Sequence, residues 1–186
     1  MDAILEATLQ VLVGVGKERL TTTLVAHRAG VSVGTLYQYF PNKSSLLQAC
    51  LRQHMGNVLM AMEHVAVECR GQSIFDMASA LIHAYLQAKL RDIGVSTGLY
   101  AIAYDLDGIA IAKDVADRIH RCVTDLFAGT MSLLNKDPEL VATVVLAAVN
   151  GVTRKLLEEP APEKKVPLYR EELLTLVRTY LETCTA

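Results

Sequence analysis

The chain has 186 residues, 52% of them apolar and 20% charged, with a formal net charge of −2. That size fits one domain or one with a satellite, and the balance excludes a disordered chain and a fold that needs staples. With only 11 glycines and 5 prolines against many Ala and Leu, the composition leans helical.

The longest charge-free apolar-rich run, 140–153, is too short to cross a bilayer. No basic segment precedes an apolar stretch at the N-terminus, so a signal peptide is not expected. Cys50, Cys69, Cys122 and Cys184 are scattered, with no CxxC pair. A reduced, cytoplasmic protein without membrane contact is the simplest reading. Charge is uneven along the chain. Residues 1–55 hold five basic and three acidic residues, and residues 56–186 hold thirteen and seventeen. A basic head on an acidic body suits a head that meets phosphate.

Helical spacing recurs throughout, with almost no strand alternation. A first helix is predicted over 2–14, closed by Gly14 and Gly16. Thr21 or Thr22 caps a short helix that ends at Gly30, and Ser32 caps a third from Val33 to Phe40. Pro41 forbids continuation, and Asn42 caps a fourth helix to about Glu68. Ser73 with Asp76 opens a fifth, to about Leu90. A sixth is expected from Ser96 to Leu106 and a seventh over 109–134. Asp137-Pro138 starts an eighth, to Leu157. A loop with Pro160, Pro162 and Pro167 leads to a ninth over 168–183. The expectation is all-α: nine helices and no sheet.

Residues 21–40 read TTTLVAHRAGVSVGTLYQYF. Two short helices flank Gly30-Val31-Ser32. Glycine permits the left-handed residue, small Ala26 lets the next helix approach, Val31 plugs the angle, and Leu36 and Phe40 share one face. This is the logic of a helix-turn-helix. The opposite face holds Val33, Gly34, Thr35, Gln38 and Tyr39. It is uncharged and small at its N-terminal end, as a helix entering a major groove must be.

At this point residues 3–51 resemble the DNA-binding head of the TetR family of bacterial repressors. The resemblance lies in Ile4-Leu5-x-Ala7, Gly16, Thr21-Thr22-Thr23, Ala26, Ala29-Gly30-Val31-Ser32, Gly34-Thr35-Leu36-Tyr37-x-Tyr39-Phe40, Asn42-Lys43 and Leu46-Leu47. It implies a three-helix head at 1–46 and a helical ligand-binding and dimerisation body at 47–186. It implies that Thr22 and Thr23 meet phosphate, that Val33, Gly34, Thr35 and Gln38 face bases, and that Tyr37 and Tyr39 touch phosphate or thymine methyl groups. Lys43 would pair with phosphate. Phosphate contacts position such a head, and base contacts choose the sequence. Family members often carry a basic arm before the first helix, whereas Met1 stands almost on it here. Weaker affinity and salt dependence are the expectation for such a head.

Residues 140–152, LVATVVLAAVNGV, are apolar almost all round, so that helix is expected to be buried on most sides. In the family the last two helices pair with their copies across a two-fold axis. This implies a homodimer with Val141, Val145, Ala148, Val152, Leu173, Val177, Tyr180 and Leu181 at its interface; intrachain core explains the same stripes. Phe75, His83, Tyr85, Tyr100, Tyr104, Met131 and Asn150 are candidate liners of a pocket for an unidentified, mostly apolar effector, and core packing explains these too.

Other chemistries fail on spacing. Asp105-x-Asp107-Gly108 begins like a calcium loop, but its twelfth position is Ala116. Gly14-Val15-Gly16-Lys17 lacks the earlier glycine of a phosphate loop, and Glu18 replaces its Ser or Thr. No catalytic constellation, metal site or cofactor is expected. Asp114, Asp117, Arg118 and Arg121 read as a solvated helix face. Two functions stay open: a ligand-responsive regulator that reads a pseudo-palindromic DNA operator as a dimer, repressor or activator, and a ligand-sensing dimer that acts through a protein partner.

Overall fold

The structure is a computed structural model that describes residues 1–103 and 106–185, without the side chains of Leu106 and Asp107. Among the described residues there are nine α-helices and no strand, only an isolated bridge between Leu134 and Thr185. The helices are α1 (Asp2–Arg19), α2 (Thr22–Ala29), α3 (Val33–Tyr39), α4 (Lys43–Glu68), α5 (Ile74–Leu90), α6 (Ile93–Ala103), α7 (Leu106–Ala128), α8 (Pro138–Leu157) and α9 (Val166–Glu182). A single 3₁₀ turn (Pro162–Lys164) lies between α8 and α9.

Most boundaries follow from local chemistry. The Thr21 hydroxyl accepts from the Leu24 amide at 3.2 Å, and that of Ser32 from Thr35 at 2.9 Å. Asn42 Oδ1 accepts from the Ser45 amide at 2.7 Å, while Ser45 Oγ accepts from Asn42 at 3.3 Å. Ser73 caps α5 through the Asp76 amide at 3.2 Å, and Asp137 caps α8 with Pro138 in its first turn. Each acceptor satisfies an amide that the helix cannot.

Three helices depart from the expected bounds. Gly14 stays helical, and the break in α1 falls at Gly16 alone. Helix α6 starts at Ile93 because Ser96 is no cap; it is buried, its hydroxyl 3.4 Å from His54 Nε2. Helix α7 ends at Ala128 rather than near 134. There the chain finds tertiary partners instead: Thr130 Oγ1 and the Met131 amide donate to the Gln72 carbonyl at 3.1 and 3.3 Å, and Ser132 Oγ accepts from Ile74 at 3.2 Å.

The chain forms two compact units, one of residues 1–56 with 94–114, the other of 57–93 with 115–186. The expected division at 46/47 falls inside α4 and within the first unit. Ile4, Leu12, Leu20, Val25, Leu36, Leu46, Leu51 and Leu99 are among the core residues of the first unit. Arg28 Nε adds a 2.6 Å bond to Gln10 Oε1, tying α2 to α1.

In the second unit the core is built from Met62, Ile74, Met77, Val123, Phe127, Leu156, Leu173 and Leu181, among others. Helix α8 has 20 residues and is apolar enough to cross a membrane by length and composition, being longer than its charge-free run. One stripe of it, Val141, Val145, Val149, Thr153 and Leu156, is buried. Glu159 accepts from Lys165 at 2.5 Å and Tyr169 at 3.0 Å, closing the turn into α9. Those two donors hold the Glu159 carboxyl below its ordinary range. The four cysteines are free thiols, and burial pushes Cys50 up to about 12.

Candidate nucleic-acid interface

Helix α2 ends on Gly30 at φ 69, ψ 28, the left-handed conformation that costs other residues a Cβ clash. The Gly30 amide donates to His27 and that of Val31 to Ala26, at 3.2 and 3.0 Å. The Ser32 cap then restarts the chain as α3. Ala26 and Leu36 are fully buried, Phe40 nearly so, and Val31 packs against them. The helix-turn-helix geometry is thus fixed by one left-handed residue, one cap and one apolar plug.

This burial leaves the opposite face of α3 to solvent. Val33, Gly34, Tyr37, Gln38 and Tyr39 are exposed and Thr35 is half-buried. The two tyrosines are 46% and 54% exposed, too open to be core residues. The Thr35 hydroxyl is already engaged, 2.9 Å from Ser32 Oγ. Thr23 is exposed beside half-buried Thr22, whose Oγ1 lies 3.1 Å from the Tyr37 hydroxyl. Residues expected to face bases and residues expected to meet phosphate therefore share one surface of the first unit. Lys43 differs, because it is half-buried and its ammonium donates to the Lys17 carbonyl at 2.6 Å. No local pattern announces a bond spanning 26 positions.

The expected effector pocket fares differently. Tyr85 and Asn150 come together, the tyrosine hydroxyl donating to Asn150 Oδ1 at 2.8 Å. His83 is exposed, since it falls on the outward side of α5, and Met131 is 80% exposed where α7 has already ended. Phe75 is half-buried with the Arg178 guanidinium 5.6 Å from its ring centre. Tyr100 belongs to the first unit, and Phe75, His83, Tyr85, Met131 and Asn150 to the second. Tyr104 and Asp105 lie outside the described residues. Among the described residues no cluster of three His, Cys, Asp or Glu could hold a metal ion. The pairs expected within Asp114, Asp117, Arg118 and Arg121 give way to a 3.3 Å bridge from Arg118 to Glu63.

Burial divides the expected interface stripe. Val141, Val145, Leu173, Val177 and Leu181 are buried within their own chain, and Ala148, Val152 and Tyr180 are half-buried. The apolar side chains left exposed stand at neighbouring positions: Leu140, Val144, Leu168 and Leu176. Of these, Leu176 borders an open groove of about 400 Å³, lined also by Val152, Glu172, Leu173, Thr175 and Thr179. A helix apolar nearly all round has two apolar faces, and only the fold decides which turns inward.

Comparison with known proteins bears on the whole chain. Residues 4–50 match the family of bacterial regulatory proteins named after tetR, and residues 73–181 the tetracyclin repressor-like C-terminal domain. The HTH-type transcriptional repressor KstR of Mycobacterium tuberculosis is 30% identical over 129 residues, which cover 69% of this chain and 57% of that repressor. This chain thus spans little more than half of that relative's length. Two solved structures share the fold. A transcriptional regulator from Rhodococcus sp. Rha1 has a TM-score of 0.79 at 22% identity, over 98% of this chain and 96% of its own. The fatty acid degradation regulator FadR from Bacillus halodurans has 0.68 at 17%, over 93% and 97%. The two family matches, one on the helix-turn-helix and one on most of the remainder, make this chain a member of the TetR family.

Proposed function

We propose that the chain is a ligand-responsive transcriptional repressor that reads double-stranded DNA in the bacterial cytoplasm. The observation that carries this is α3: one face locked into the core, the other presenting Val33, Gly34, Thr35, Gln38 and Tyr39 beside Thr22, Thr23 and Tyr37. Val33 and Gly34 offer bases no side-chain hydrogen bond. Sequence choice therefore rests on Gln38, methyl contacts and DNA shape.

Residues 1–46 take the DNA-reading role and residues 47–186 the sensing and pairing roles. Two copies pair through the exposed apolar faces of α8 and α9, so that two α3 helices meet two half-sites of a pseudo-palindrome. A small, largely apolar effector, held near Tyr85 and Asn150, favours the conformation that fits the operator worse. Linkage then requires operator and effector to weaken each other by one factor.

The test is selection of genomic fragments by purified protein at near-physiological salt, beside a Tyr37→Ala, Lys43→Ala double variant. Enrichment of one pseudo-palindromic site, lost in the variant, is the expected result. Absence of any enriched site from the wild type would overturn the reading.

A further inference from the structure

The 2.8 Å bond from the Tyr85 hydroxyl to Asn150 Oδ1 joins α5 to α8 inside the second unit. On α5, Ala78, Ile82 and Tyr85 form a buried stripe. Lys89, one turn beyond Tyr85, continues that stripe, so a cation stands where the spacing calls for an apolar side chain. It is half-buried, and burial pushes its ammonium down to about 8. On α8, Thr153 stands one turn beyond Asn150, in a buried stretch with Val149, Leu156 and Leu157. It is 1% exposed, and its hydroxyl has no hydrogen-bond partner among the described residues. Thr8 and Thr143 turn their hydroxyls back onto the carbonyls of Ile4 and Glu139, each one turn earlier. Thr153 makes no such bond, and packing alone does not call for a hydroxyl there, since valine has the same shape.

The Lys89 ammonium, the Thr153 hydroxyl and the Asn150 amide thus lie on residues within about one helical turn of a single interhelical bond. With Asn150 Oδ1 taken by Tyr85, its amide nitrogen has only donors to offer. Three donor groups of this kind suit an acceptor, and one cation among them suits a single negative charge. The surrounding Ile82, Leu86, Val149 and Leu157 are apolar and buried. We infer that the effector is an amphiphilic monocarboxylate whose head is bound by Lys89, Thr153 and Asn150 beside Tyr85. A carboxylate next to the ammonium gains from the same low dielectric that disfavours the ammonium by itself. The inference rests on the effector reading above and names the chemical class of that effector.

The probes are hexanoate, decanoate, tetradecanoate and phenylacetate, each beside the alcohol of the same skeleton, titrated calorimetrically into the DNA-free protein. At least one carboxylate should bind at least about tenfold tighter than its alcohol, as a charge-assisted hydrogen bond requires. Lys89→Met keeps the apolar stem and removes the charge. In that variant the preference should shrink to under about threefold, with the alcohol bound as by the wild type. Thr153→Val should weaken the carboxylate about three- to tenfold without lowering stability in urea, a combination that a merely structural threonine would not give. The inference is overturned if no carboxylate binds tighter than its alcohol, or if carboxylate affinity is unchanged in either variant. Should Lys89→Met not fold, the neutral Lys89→Gln gives the same reading. Failure of the effector reading shows separately, as a carboxylate that binds through Lys89 and Thr153 and leaves operator affinity unchanged.

Discussion

The Tyr37 hydroxyl on α3 lies 3.1 Å from Thr22 Oγ1 on α2, across the turn that separates the two helices. Both groups stand at the proposed DNA surface, so the pair orients each hydroxyl before any phosphate arrives. Tyr37→Phe removes one partner and leaves the ring. Because the pair is exposed, the expected cost to folding is under about 1 kcal/mol, read by urea unfolding. Operator affinity should fall about three- to tenfold with an unchanged salt slope, since no charge is lost.

Ser32 carries the restart of the chain into α3 through its 2.9 Å bond to the Thr35 amide. Ser32→Ala should cost about 1 kcal/mol, the ordinary value of a lost N-cap. Ser32→Asp, which keeps an acceptor at the N-terminus, should retain most of that stability. It also places a negative charge beside the proposed phosphate-facing surface. For that variant operator titration should therefore show a loss that calorimetry does not.

The exposed and buried faces of α8 and α9 make separable predictions. Leu176 is 53% exposed and Leu173 1%. Leu176→Glu should yield folded monomers, detected by light scattering with circular dichroism unchanged. Leu173→Glu buries a carboxylate in the core and should unfold the protein or destabilise it by several kcal/mol. If Leu176→Glu stays dimeric, these faces are not the interface.

Lys89 supplies a pH dependence. Burial pushes its ammonium down from 10.5 to about 8. The unfolded chain then holds this proton more tightly than the folded one, so the contribution of Lys89 to stability is unfavourable below about pH 8. It becomes less so as pH rises from 8 toward 10.5. The cysteines, pushed up by burial, act in the opposite sense at high pH. The useful quantity is thus the difference between wild type and Lys89→Met. That difference should shrink between pH 8 and pH 10 and stay constant from pH 6 to 7.5, measured by urea unfolding.

Most of the head was legible because its determinants are local. Gly30, Ser32, Asn42 and the 26/36/40 apolar set each act within a few residues of themselves, and each does in the structure what its chemistry implies. The exposed face of α3 followed from the same set, since a short helix with one buried stripe has its other face outside. The ends of α6 and α7 were not legible. Their capping and breaking groups are taken by residues far along the chain: Ser96 by His54, and the 130–132 segment by Gln72 and Ile74.

By itself, then, the amino-acid order determined an all-α chain, the helix-turn-helix and the residues on the exposed face of α3. Capping, left-handed glycine and helical periodicity are properties of neighbours along the chain. Only the tertiary structure decided which face of α8 turns inward, and that Lys43 ends on the Lys17 carbonyl rather than in solvent. It also decided that, of the candidate pocket residues, Tyr85 and Asn150 meet. A helix apolar all round gives no preference between its faces, and a flexible lysine none among distant acceptors. Those choices are made by what packs opposite, which periodicity does not encode.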